Sequence, residues 1–278
     1  MDKQRPEEAY INIERTLSEK APRLFNILPG FIIRFMKRIV HQDELNILLQ
    51  RHRNKMGLEF IGSMLEEFRV KIETEGIENI PQDGRFVVAS NHPLGGLDGM
   101  ALMWVMGRVR KDLLFPVNDL LMNIPNLRPL FIPLNKHGRN AENLELFDKA
   151  FAGDSAILYF PAGLCSRKVE GKIVDLEWKK TIITKARRFQ RNVIPTYIHG
   201  RNSTFFYNLA NLRLKLGIKS NIEMFFLVNE MFKQKDKIIR IKFGKAIAYS
   251  SFDKSKKDAE WAEYLKELVY ALPDIKNS

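Results

Sequence analysis

The chain has 278 residues, 45% of them hydrophobic and 28% charged, with a formal net charge of +12. That composition is ordinary for a globular protein and argues against a disordered chain, and the length suits one large core or two modest domains. The positive balance favours an anionic partner, with nucleic acid, anionic lipid headgroups and phosphorylated small molecules all open, while the single cysteine, Cys165, excludes an internal disulfide.

The opening residues, MDKQRPEEAY, are polar and charged, so no signal peptide is expected. No stretch approaches the roughly 18 consecutive apolar residues of a spanning helix. Residues 1–80 read as an N-terminal helical region expected to face a membrane. Within it, FIIRFMKRIVH (31–41) puts Phe31, Ile32, Phe35, Met36 and Ile39 on one helical face and Arg34, Lys37 and Arg38 on the other. Such a basic amphipathic helix either lies in a lipid interface, with its cations among phosphates, or packs on the protein's own core; both stay open.

From residue 85 the pattern changes. RFVVAS (85–90), DLLFPV (112–117), LFIPL (130–134), SAILYF (155–160), VIPTYI (193–198), EMFFLV (223–228) and IIRIKF (238–243) read as strands. Helix-like stretches stand between several of them, at 99–109, 141–151, 178–189 and 205–217, and a last amphipathic helix covers about 256–272. This alternation predicts an α/β domain over 81–278, a largely parallel central sheet flanked by helices, with its site at the carboxyl ends of the strands. The basic residues Lys179, Lys180, Lys185, Arg187, Arg188 and Arg191 lie largely on one predicted helix and read as solvated surface.

The sharpest feature is FVVASNHPLGGLDG (86–99). A buried strand runs out at Ser90, Asn91 and His92 stand on the loop at its end, and a helix begins near Asp98. A neutral imidazole takes a proton from an attacking hydroxyl near neutral pH, and a carboxylate on its other nitrogen fixes the tautomer and stabilises the imidazolium that forms. No serine or cysteine nucleophile is needed if the acceptor attacks directly. The plain structural alternative is an aspartate helix cap beside a turn histidine.

NHPLGGLDG resembles the first motif of the lysophospholipid and glycerolipid acyltransferase family, the 1-acylglycerol-3-phosphate acyltransferase-like enzymes. Their signature is a histidine and an aspartate a few residues apart. The resemblance implies that His92 is the general base and that Asp98 orients it, with Asn91 beside them as a substrate-binding candidate. The common family spacing puts four residues between the pair; here five intervene, Pro93 to Leu97. Asn-His-Pro followed by glycine is similar to the branch labelled hemolysin-like.

Three later stretches resemble the family's acceptor-binding blocks, in the family's order. In LFIPLNKHGRN (130–140), Lys136 and Arg139 are candidates to hold a phosphate or carboxylate. In YFPAGLCSRK (159–168), Phe160, Pro161 and Gly163 match, and Ala162 stands where many members carry glutamate. Gly163 is a candidate for close backbone approach to substrate, Arg167 is the strongest anion-binding candidate, and Cys165 reads as a bystander. In VIPTYIHGRNSTFFY (193–207), Pro195 matches and Arg201 either adds positive charge near the site or serves a turn.

The resemblance implies transfer of a fatty acyl group from acyl carrier protein or coenzyme A to a lysolipid acceptor in membrane lipid synthesis. The acceptor is either lysophosphatidate-like or, given Ala162, a lyso-aminolipid of the ornithine- or glycine-lipid type. No metal or redox cofactor and no nucleic-acid partner are implied; the expected location is cytoplasmic and peripheral, on the inner face of the membrane. The competing class is a non-catalytic basic protein that binds anionic membrane or nucleic acid, which accounts for the charge but not for the 91–98 loop. The sequence contains no nucleophile elbow, P-loop or Gly-x-Gly-x-x-Gly fingerprint.

Overall fold

A computed structural model describes residues 10–118, 121–134 and 141–274. Its centre is a seven-stranded sheet built from β1 (Lys71–Glu75), β2 (Phe86–Ser90), β3 (Leu113–Val117), β4 (Phe131–Pro133), β5 (Ala156–Tyr159), β8 (Asn192–Ile198) and β9 (Ile238–Phe243). The spatial order is β1-β9-β8-β2-β5-β3-β4, and a separate hairpin joins β6 (Arg167–Val169) to β7 (Lys172–Val174). Every pairing in the large sheet is parallel except β8 with β9. The carboxyl ends of β2, β3, β4, β5 and β8 therefore lie along one edge, which brings together the strands that lead into the four sequence blocks.

Among the described residues five helices precede β2: α1 (Ile13–Lys20), α2 (Pro22–Ile27), α3 (Gly30–Ile39), α4 (Gln42–Arg51) and α5 (Gly57–Glu67). Six follow: α6 (Gly96–Val109), α7 (Ala141–Ala152), α8 (Thr181–Arg188), α9 (Thr204–Lys215), α10 (Leu227–Phe232) and α11 (Asp258–Ala271). Strand alternation divides the core in two. Phe86 and Val88 of β2 face the layer of α5 and α6, whereas Val87 and Ala89 face α7, α8 and α11. β2 is buried along its whole length, as a central strand covered on both faces must be.

The sheet departs from the sequence expectation in three places. β1 already belongs to it, inside the stretch assigned to the N-terminal helical region; KIETE has one apolar residue and sits on the edge, mostly exposed, so no hydrophobic alternation marks it. The run 223–228 is not a strand but a 3-10 turn, Ile222–Phe226, leading into α10. Glu223 is fully buried there, and its carboxylate is held by Arg167 and Arg213. The β6–β7 hairpin turns on Glu170 (φ 48°) and Gly171 (φ 84°), two successive left-handed residues that suit a two-residue hairpin turn.

The basic run on α8 is not free surface. Lys185 and Arg188 bind Asp148 of α7, and Arg187 binds Asp258 of α11. Arg191 is completely buried and donates to five backbone carbonyls, those of Phe86, Ala150, Phe151, Gly153 and Ser155. Burial lowers its pKa to about 10, yet it stays charged at neutral pH, where a cation suits the carbonyls at the end of α7. Arg191→Met is expected to cost about 3 kcal/mol or more, because several buried acceptors lose their donor at once. Urea unfolding measures it, and a loss below about 1 kcal/mol contradicts this role.

Candidate active site

The site grows from the end of β2. Asn91 is buried, and its side-chain amide is fully used: Nδ2 donates to the Ile198 carbonyl (2.9 Å) and Oδ1 accepts from the Ile198 N–H (2.7 Å). It stitches the loop to the end of β8. Next to it, His92 Nδ1 donates to Asp98 Oδ2 at 3.0 Å. The same oxygen accepts the Leu94 N–H (2.8 Å), and Oδ1 accepts the Gly99 N–H (2.8 Å). Asp98 lies in the first turn of α6, where the helix dipole favours an anion, and it is fully buried. The five-residue spacing closes because Gly95 turns the chain at φ 85°, ψ −125°. A Cβ there would also stand 3.1 Å from Leu227 and 3.4 Å from the Cys165 sulfur.

Phe160 stacks on the His92 imidazole with centroids 4.1 Å apart, and the Cys165 sulfur lies near it. Burial pulls the imidazole's pKa down, but the Asp98 carboxylate and the Cys165 sulfur outweigh this and hold it well above its ordinary 6.5. Only 17% of the side chain is exposed.

The loop is braced from behind by Asp175, a residue without any sequence signal. Its carboxylate accepts the His92 backbone N–H (3.2 Å), the Ser166 hydroxyl (2.6 Å) and the Trp178 indole N–H (2.9 Å), and its own N–H donates to Tyr270 Oη (2.7 Å). Burial raises the Asp175 pKa against the pull of these hydrogen bonds. The Ser166 N–H also donates to the His92 carbonyl. Strand-end loops thus converge on one histidine–aspartate pair at the carboxyl edge of the sheet, an arrangement suited to proton transfer at a hydroxyl.

A family model described as acyltransferase matches residues 15–278. The chain is 47% identical over 264 residues to a lyso-glycine lipid O-acyltransferase of Bacteroides thetaiotaomicron, covering 94% of this chain and 97% of that protein. It is 46% identical over 264 residues to a lyso-glycine lipid O-acyltransferase of Phocaeicola vulgatus, covering 94% and 95%. The chain belongs to the acyltransferase family. Among solved structures, that of the 1-acyl-sn-glycerophosphate acyltransferase of Thermotoga maritima aligns with 89% of this chain and 95% of its own, at 18% identity and a TM-score of 0.49.

The remaining candidate residues of this acyltransferase fall into different places. Arg167 is 4% exposed and committed inward. It donates to Glu223 (2.7 Å) and to the Cys165 carbonyl (2.6 Å), and its guanidinium lies over Phe206. Since Glu223 also takes Arg213 (2.9 Å), the trio forms a buried brace. Gly163 occupies the turn after β5, its N–H donating to the Phe160 carbonyl at 3.0 Å. Arg201 is exposed on the loop after β8, on the same edge as His92. Lys136 and Arg139 lie outside the described residues. No group of three or more potential ligands arranged for a metal occurs among the described residues. Asp175→Ala is expected to orphan three donors and destabilise the fold by about 3 kcal/mol, with a matching change in Trp178 fluorescence; an unchanged melting temperature contradicts the brace.

Proposed function

We propose that this acyltransferase moves a fatty acyl group from acyl carrier protein or coenzyme A to the hydroxyl of a lyso-aminolipid of the glycine-lipid class. His92 is the general base and Asp98 orients it. The observation that carries the reading is the 3.0 Å contact between His92 Nδ1 and the buried Asp98 carboxylate, in a chain nearly half identical to two enzymes named for that acceptor. Ala162, in place of the glutamate that the family pattern leads one to expect, supports an acceptor other than a glycerol phosphate.

With Nδ1 bonded to Asp98, Nε2 is left to take the acceptor's proton. The hydroxyl oxygen attacks the thioester carbonyl, the tetrahedral oxyanion collapses, and the donor's thiolate leaves and takes the proton back from the imidazolium. Backbone N–H groups at the start of α6 stabilise the oxyanion. The net charge of +12 suits either donor, since both are anionic.

Membrane contact belongs to α3. Phe31 and Phe35 are 63% and 57% exposed, and no residue of the helix is fully buried. Among the described residues no helix is long and apolar enough to cross a membrane. The exposed apolar face beside Arg34 and Arg38 supports a helix lying in an anionic lipid surface. The double variant Phe31→Ser, Phe35→Ser is expected to lose sedimentation with phosphatidylglycerol vesicles while keeping its fold; wild-type sedimentation contradicts it.

The reading is tested with a labelled acyl group on acyl carrier protein or coenzyme A and a panel of lysolipids. Wild type should transfer preferentially to lyso-glycine lipid, and His92→Ala should lower the rate about 10³-fold without unfolding. No transfer to any lysolipid, or equal transfer by the variant, overturns it. Because the base must be neutral and its pKa is raised, kcat/KM should climb with pH through a limb above 6.5. A limb at or below 6.5 speaks against His92 as the base.

A further inference from the structure

Among the described residues, one buried side chain has polar atoms without any partner. Asn202 is 3% exposed, and both its Nδ2 and its Oδ1 make no hydrogen bond. Burying a carboxamide unpaired is costly, and such a group in a native fold calls for a ligand or a trapped water. The two other buried asparagines, Asn91 and Asn126, spend their amides on backbone groups.

Asn202 also belongs to a loop tied to the one that carries His92. It lies on the loop after β8, which the Asn91 amide clips to the His92 loop through Ile198. Gly200 passes the same loop so closely that a Cβ there would be 2.8 Å from Leu94. The Asn202 backbone N–H donates to Tyr207 Oη at 3.0 Å, and Tyr207 packs in one buried cluster with Cys165, whose sulfur lies near His92 and the Gly95 turn. Ser203, the next residue, is held at the start of α9 by Glu230, so the position of Asn202 is fixed from both sides.

We propose that the Asn202 carboxamide is the acceptor-reading group, its Oδ1 accepting the amide N–H of the lysolipid and its Nδ2 donating to the carboxylate of the same aminoacyl unit; this rests on the lyso-aminolipid reading above. An N-acylated amino acid in an extended conformation offers its amide N–H and a carboxylate oxygen on one side, the complement of the free Oδ1 and Nδ2 and the same pattern that Ile198 presents to Asn91. An ester-linked lysophospholipid has no N–H at that place and leaves Oδ1 unpaired. Sites that hydrogen-bond a substrate group discriminate strongly against analogues without it. The methyl of Ala162 supplies no such recognition. Solvent does not reach the amide in this ligand-free fold, so the acceptor enters by displacing apolar side chains of the Cys165 cluster.

The test compares wild type with Asn202→Leu, which matches the side chain's size and removes the orphan atoms, and with Asn202→Ser as a second variant should leucine fail to pack. Binding of N-palmitoylglycine, which has no hydroxyl to acylate, is measured by calorimetry. Transfer is measured to an amide-linked and an ester-linked lysolipid of equal chain length. The variant is expected to keep or raise the melting temperature and to bind N-palmitoylglycine about 10-fold to 100-fold more weakly. The amide-to-ester ratio of kcat/KM is expected to fall by a similar factor, through KM more than kcat. Undiminished binding with an unchanged ratio means that the amide holds only a trapped water, and overturns the proposal. So does a wild type that binds no N-palmitoylglycine, whatever lysolipid it acylates. Asn202-dependent binding without any acyl transfer upholds the acceptor site and overturns the proposed reaction instead.

Discussion

The buried carboxylate of Asp98 is the constraint on which the site depends. It is fully shielded from solvent and takes three hydrogen bonds, from the His92 ring and from the N–H groups of Leu94 and Gly99. An ionised group in that position is tolerable only because its donors and the helix start surround it. In turn it fixes which imidazole nitrogen carries the proton and which is left for chemistry. The turn at Gly95, the burial of β2 and the packing of α6 all serve to deliver this one contact.

Holding the loop that carries His92 takes more of the chain than the loop itself. Asn91 ties it to β8, Asp175 ties it to Ser166 and Trp178, and the Tyr270 hydroxyl links that carboxylate's backbone to the last helix. Arg167, Arg213 and Glu223 close the other side. Part of the chain's positive charge is thus internal, spent on carbonyls and buried carboxylates, and does not form a surface for nucleic acid. Arg191, with its five carbonyl partners, is the extreme case.

Local pattern made much of this legible. The apolar runs at 85–90, 155–160 and 193–198 became central parallel strands, and the glycine turn between His92 and Asp98 was visible as a strand-to-helix loop. What stayed hidden depends on contacts distant in sequence. Nothing in KIETE marks an edge strand, because an edge needs little apolar surface. Charged residues in 167–191 look alike in sequence, yet Arg167 and Arg191 are buried while Arg188 is exposed. Asp175 is 83 residues from His92 and has no motif around it. Nothing in the sequence singles out Asn202, and only its lack of partners in a closed fold sets it apart.

The most direct measurement is an NMR titration of the His92 imidazole in ¹⁵N-histidine protein, its signal assigned from a His92→Gln sample. The account predicts a pKa well above 6.5, with Nδ1 protonated toward the carboxylate, and a downward shift in Asp98→Asn. A value at or below 6.5 in the wild type, or one that Asp98→Asn leaves unmoved, would contradict the claim that this buried carboxylate governs the base.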